Sequence, residues 1–136
     1  MNQRNLTVLT DVVLITCIVQ RGLADAIVKA AREAGAQGAT VYYARGTGVR
    51  ERLGILGVAV EVEKEIINVV VASDQVDYVF DKMFLAGKLD TPGMGFIYCS
   101  QLEKAATYIP PALVEKLKAS SKNEKEHSTH SNKKAA

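Results

Sequence analysis

Eight consecutive apolar or β-branched residues, Val12–Val19 (VVLITCIV), constrain this chain more than any other feature. A membrane-spanning helix needs roughly 18 apolar residues, and this run is flanked by Asp11 and Arg21. It reads instead as a central strand buried on both faces. A second run, Glu65–Ala72 (EIINVVVA), has the same character.

Between and after these runs the helical period appears. Residues 23–34 put Leu23, Ile27, Ala30, Ala31 and Ala34 on one face, and Gly35 stands at a C-cap position. Residues 39–44 read as a second strand through Thr40, Val41, Tyr42 and Tyr43. Ser73 or Asp74 can cap a helix whose apolar face is Val76, Val79, Phe80, Met83 and Phe84, ended by Gly87. Residues 95–100 (GFIYCS) form the fourth strand, and Pro110-Pro111 opens a short helix. Asp25 precedes Ala34-Gly35 by the same spacing with which Asp77 precedes Ala86-Gly87. The order strand–helix–strand, twice, predicts an α+β chain: a ferredoxin-like split βαβ (βαββαβ) sandwich with its first and third strands central. The domain is expected over residues 1–118, with residues 119–136 a flexible polar tail.

Hydrophobic residues at 48% and charged residues at 24% are ordinary globular values. The net charge of +2 equals that of the tail, which holds four Lys and two Glu, so the body is near neutral. No nucleic-acid footprint is expected from such a body. The N-terminus does not read as a signal peptide, because Asp11 interrupts it. Two cysteines make no disulfide framework and suit a reducing, cytoplasmic setting. Cys17 and Cys99 fall on strands that neighbour each other in this topology, either as two buried core residues or as a redox pair. His127 and His130 stand in the polar tail with no accompanying ligand, so no metal site is expected. Because the body contains no histidine, no Ser–His–Asp or Cys–His set can be assembled, and a non-enzymatic protein with no required cofactor is expected. Asp25, Asp77 and Asp81 read as solvated helix positions.

The conspicuous segment is the connection over residues 46–64. Fifteen residues separate Gly48 from Lys64, of which eight are apolar, five charged and two Gly. A tight hairpin would need two to about five, so this is either a long hairpin or a loop that responds to a ligand or partner. Val58, Val60 and Val62 alternate with polar or small residues and can extend the third strand. Gly46-Thr47-Gly48 and Thr91-Pro92-Gly93-Met94-Gly95 are glycine-rich turns: plain turns, or places where backbone N–H groups approach an anion.

Four segments, GATVYYARGTG (38–48), the long loop, KEIINVVVASDQVD (64–77) and TPGMGFIY (91–98), resemble the PII signal-transduction proteins of the nitrogen-regulatory superfamily, in its divergent PII-like branch. The resemblance covers residues 11–110. It implies a ferredoxin-like homotrimer with an adenine-nucleotide site in each intersubunit cleft and a flexible effector-docking T-loop. Carried over by position, Thr40, Gly46, Thr47 and Gly48 line the cleft, and Asn68 and Val70 face the adenine. Lys64 contacts phosphate or a co-bound metabolite, and Gly93, Met94 and Gly95 form the phosphate-cradling turn. Arg50, Arg52, Leu53, Ile55 and Leu56 belong to the loop that docks a partner. In the PII-like branch that partner is often a membrane transporter, which would recruit the protein to the inner face of the membrane.

The departures from the family pattern bear on the ligand. Phe96 stands where the family has a phosphate-binding lysine, and the two arginines expected near Thr107 and Ile109 are absent. No tyrosine lies between Gly48 and Lys64, so tyrosyl modification cannot occur there. Charge-assisted hydrogen bonds contribute roughly 1.5–3 kcal/mol each, so ATP is expected to bind poorly. AMP, ADP or a cyclic nucleotide suits the site better. Arg45, Arg50 and Arg52 could supply replacement charge. A structural or metal-tolerance trimer of the same fold, without nucleotide sensing, is the alternative.

Overall fold

The computed structural model describes residues 6–46, 62–113, 115–116 and 119. Its elements run β1 (Val8–Leu9), β2 (Val12–Gln20), α1 (Ala24–Glu33), β3 (Thr40–Gly46), β4 (Val62–Ala72), α2 (Val76–Ala86), β5 (Gly95–Gln101) and β6 (Ala105–Ala106). Residues 9–105 form one unit, and it carries the four-stranded sheet and both helices. The remaining described residues belong to a second unit, helical over Pro111–Leu113.

The sheet order is β3–β4–β2–β5, antiparallel throughout, so the two continuous apolar runs are the central strands. This is the ferredoxin-like arrangement that the element order predicts. Side chains alternate across the sheet. One face presents Ile15, Cys17 and Val19 of β2 beside Ile67, Val69 and Val71 of β4, all buried. Ala24, Ile27 and Ala31 of α1 and Val79 and Met83 of α2 close over them to complete the core. Each fully buried Ile, Val or Met here contributes about 1.5–3 kcal/mol.

Neither α1 nor α2 covers the opposite face. It presents Leu14, Thr16, Ile18 and Gln20 on β2 and Lys64, Ile66, Asn68 and Val70 on β4. Tyr42 on β3 and Phe96 and Tyr98 on β5 flank them. Tyr42, Val70, Phe96 and Tyr98 are exposed, and the Phe96 and Tyr98 rings lie 5.5 Å apart.

Helix α1 ends as expected: Gly35 takes φ +112°, and the Ala36 N–H donates to the Ala31 carbonyl at 2.9 Å. Helix α2 departs from expectation at its start. Its N-cap is Gln75, with no side-chain capping bond, rather than Ser73 or Asp74. The Ser73 N–H donates to the Asp11 carbonyl at 3.1 Å, which ties the turn to the start of β2 and places the residue too early to cap. At the other end the left-handed residue is Lys88 (φ +51°), one place after Gly87. Gly87 is the C-cap, as expected, and it also packs closely: a Cβ there would lie 3.0 Å from Ile27 Cδ1 of α1. No helix among the described residues is long and apolar enough to cross a membrane.

Candidate functional site

Period-two alternation along β4 places Lys64, Ile66, Asn68 and Val70 on the open face. Asn68 is opposite Thr40 on β3 and opposite Thr16 on β2. The Thr16 hydroxyl donates to Asn68 Oδ1 at 2.9 Å, and Thr16 is only 4% exposed. The Asn68 amide N–H groups have no hydrogen-bond partner among the described residues. A polar pair thus sits at the centre of this face, flanked by Leu14, Ile18, Ile66 and Val70.

Towards one end of the sheet, Lys64 pairs with Ala44 on one side and Gln20 on the other. Gly46 lies against Lys64, where a Cβ would be 3.7 Å from Lys64 Cγ. From the other side, Gln20 Nε2 donates to the Gly93 carbonyl at 2.9 Å. The row Gly46, Lys64, Gln20, Gly93 therefore crosses from β3 to the turn before β5. Four separate stretches of sequence, around residues 20, 46, 64 and 93, meet there.

The turn itself is shaped by Gly93 (φ +82°) and Gly95 (φ +153°), with the Met94 N–H bonded to the Thr91 carbonyl at 3.3 Å. The two glycines are not equivalent. A Cβ on Gly93 would meet nothing within 4 Å, whereas one on Gly95 would lie 2.4 Å from the Ile18 carbonyl oxygen. Gly95 is thus demanded by the close approach of β5 to β2, whatever else it does. Val70 is exposed on the open face two places beyond Asn68. Thr47, Gly48, Arg50, Arg52, Leu53, Ile55 and Leu56 lie outside the described residues.

The model of the P-II nitrogen regulatory protein family matches residues 12–109. The chain belongs to that family. Among solved structures, the crystal structure of Arabidopsis thaliana PII bound to citrate is similar, with a TM-score of 0.55 at 22% identity. The match covers 69% of this chain and 79% of that one, and at such identity it speaks for the fold alone. No curated protein matches the chain significantly.

Within this PII chain, several features were not legible in the sequence. Gln20 reads there only as a polar residue ending a strand, yet it ties Gly93 to the sheet. Arg45 faces away from Lys64: its partner in register is Glu63, on the helix-bearing side. There Arg21 Nη1 donates to Glu63 Oε2 at 2.7 Å, which raises the Arg21 pKa above its ordinary value. Glu65, two residues on, is buried and accepts the Gly22 N–H.

The cysteines are not two buried neighbours. Cys17 is buried and Cys99 exposed. Their register is offset by two, with Cys17 opposite Ile97 and Cys99 opposite Ile15. Such diagonal neighbours sit about 7–8 Å apart, beyond ordinary disulfide geometry. Burial also pushes the Cys17 thiol up to about 12, so it stays protonated.

Proposed function

We propose that this PII-family chain is a non-enzymatic sensor. It binds a small metabolite, an adenine nucleotide of low charge, in clefts between copies of a homotrimer. The loop over residues 49–63 then engages or releases a protein partner, of which a membrane transporter is one class. A ligand changes such a loop only through its different affinity for the loop's states.

The observation that carries this reading is the row Gly46, Lys64, Gln20, Gly93. It gathers two glycine-bearing strand ends around one lysine, the kind of backbone and charge a phosphate needs. Asn68 supports it, with amide donors available on the same face. The trimer is supported by the open face, where Tyr42, Val70, Phe96 and Tyr98 are exposed together. Phe96 beside this row, where a lysine would suit a third phosphate, favours AMP, ADP or a cyclic nucleotide over ATP. The fold-imposed need for glycine at Gly95 favours the competing reading, a structural trimer whose glycine turns are only turns.

Thermal denaturation with AMP, ADP, cyclic AMP and ATP separates the two. At least one adenine nucleotide is expected to raise the midpoint of the native protein. Lys64→Ala should lose most of that rise. A midpoint unmoved by all four nucleotides supports the structural trimer.

A further inference from the structure

On the side of the sheet away from Lys64, a groove is lined by Arg21, Tyr43, Ala44, Arg45 and Glu63. Arg45 and Glu63 are direct cross-strand partners, so their side chains leave the sheet on the same face. Arg21 reaches the same carboxylate from the β2–α1 turn, at 2.7 Å. Glu63 is therefore ion-paired with Arg21 and stands in register beside Arg45, both lining the same groove. Arg45 makes no hydrogen bond or ion pair among the described residues. Tyr43, two places along β3, adds a hydroxyl and is 74% exposed. Glu65, in register with Tyr43, accepts the Gly22 N–H and is a second carboxylate whose charge acts on Arg21.

We propose that this groove is a site for a compact oxyanion with at least two acceptor oxygens, a phosphate or a carboxylate. Arg21, Arg45 and the Tyr43 hydroxyl hold it, and Glu63 fills the anion's place when the site is empty. Guanidinium forks match such oxygens bidentately. The Arg21–Glu63 pair is exposed, with side-chain exposures of 68% and 57%, and exposed pairs are held weakly enough for an incoming anion to displace them. Arg45 and Glu63 each lie one residue from the strand ends that bound the long connection. An anion replacing Glu63 would alter both of its stems together. This site lies on the other face from the nucleotide row and does not depend on that reading.

The test is an NMR titration of the full chain that follows the arginine Nε–Hε resonances. Inorganic phosphate and succinate are added in parallel, with sodium chloride at matched ionic strength as the control. Arg21 and Arg45 should shift saturably with phosphate, with succinate or with both, and not with chloride; which anion acts identifies the source. Glu63→Gln should tighten that binding by about fivefold, because an exposed internal competitor has been removed. Arg45→Ala should abolish the saturable shift at Arg21, while Lys64→Ala should leave it intact. Responses to phosphate and succinate no different from chloride would overturn the site. So would an Arg21 shift that survives Arg45→Ala, or unchanged affinity in Glu63→Gln. Lack of binding by any adenine nucleotide leaves these outcomes unaffected.

Discussion

The Gln20 side-chain amide donates to the Gly93 carbonyl at 2.9 Å, joining the end of a central strand to a turn 73 residues away. Gln20 is also the register partner of Lys64. The hydrogen bond therefore sets how far the glycine turn stands from the lysine.

Gln20→Ala should release that turn. An exposed neutral hydrogen bond contributes about 0.5–1.5 kcal/mol, and urea unfolding should show a loss near the lower end. Gly95→Val should be far worse, since its side chain would drive into the Ile18 carbonyl. Gly93→Ala meets no atom and carries only the left-handed backbone strain, about 1–2 kcal/mol. Gly93 is therefore the position at which loss of ligand binding can be separated from loss of fold. Equal destabilisation by the Gly93 and Gly95 changes would contradict this distinction.

Ser73 invites a capping role that the structure denies it. Its Oγ is buried with no hydrogen-bond partner among the described residues. Ser73→Ala should leave stability unchanged or raise it slightly, because a buried unpaired hydroxyl is removed. A true N-cap would lose about 1 kcal/mol, and chemical denaturation distinguishes the two.

Cys17 predicts an alkaline dependence. Its thiol holds its proton to about 12 in the folded protein, against about 8.5 in an unfolded chain. The folded state binds that proton more tightly. Its contribution is complete below the unfolded value and is lost as pH rises towards the native one. The stability gap between the native protein and Cys17→Ala should narrow from about pH 8.5 upwards, by at most about 1.4 kcal/mol per pH unit. A gap constant with pH would contradict the shift. Iodoacetamide should meanwhile label exposed Cys99 and spare Cys17.

The open face predicts the assembly. Ile66 lies there, opposite Tyr42 and Ile18, and outside the helix-covered core. Ile66→Asp should break the trimer while leaving far-UV circular dichroism unchanged. Light scattering should give three times 14.7 kDa for the native protein and 14.7 kDa for the variant. A native mass of one chain would remove the intersubunit cleft from the account.

How much of this the sequence reveals depends on the range of the interaction. Val12–Val19 and Glu65–Ala72 declare themselves central by their near-continuous apolar content, although the expected burial of both faces is not met within the single chain, where Val70 is exposed on the open face. Gly46, Lys64 and Gly93 are assigned to one site by the family resemblance, but the row they form through Gln20 needs the register of the strands. The Gln20–Gly93 bond, the Arg21–Glu63–Arg45 groove and the exposure of Cys99 are all cross-strand facts with no local signal. At α2 the sequence misleads: Ser73 is a good capping residue by type, but its backbone is already tied to Asp11. Gly87 looks like a helix stop and is one, but its close packing against Ile27 has no local signal.

Calorimetric titration of the native protein and of Phe96→Lys with AMP, ADP and ATP tests the central claim most directly. The account predicts saturable binding of an adenine nucleotide, with ATP no tighter than AMP or ADP. It also predicts that Phe96→Lys moves the preference towards more phosphates. A native preference for ATP of about tenfold, equivalent to about 1.4 kcal/mol, would contradict it, as would the absence of binding by all three.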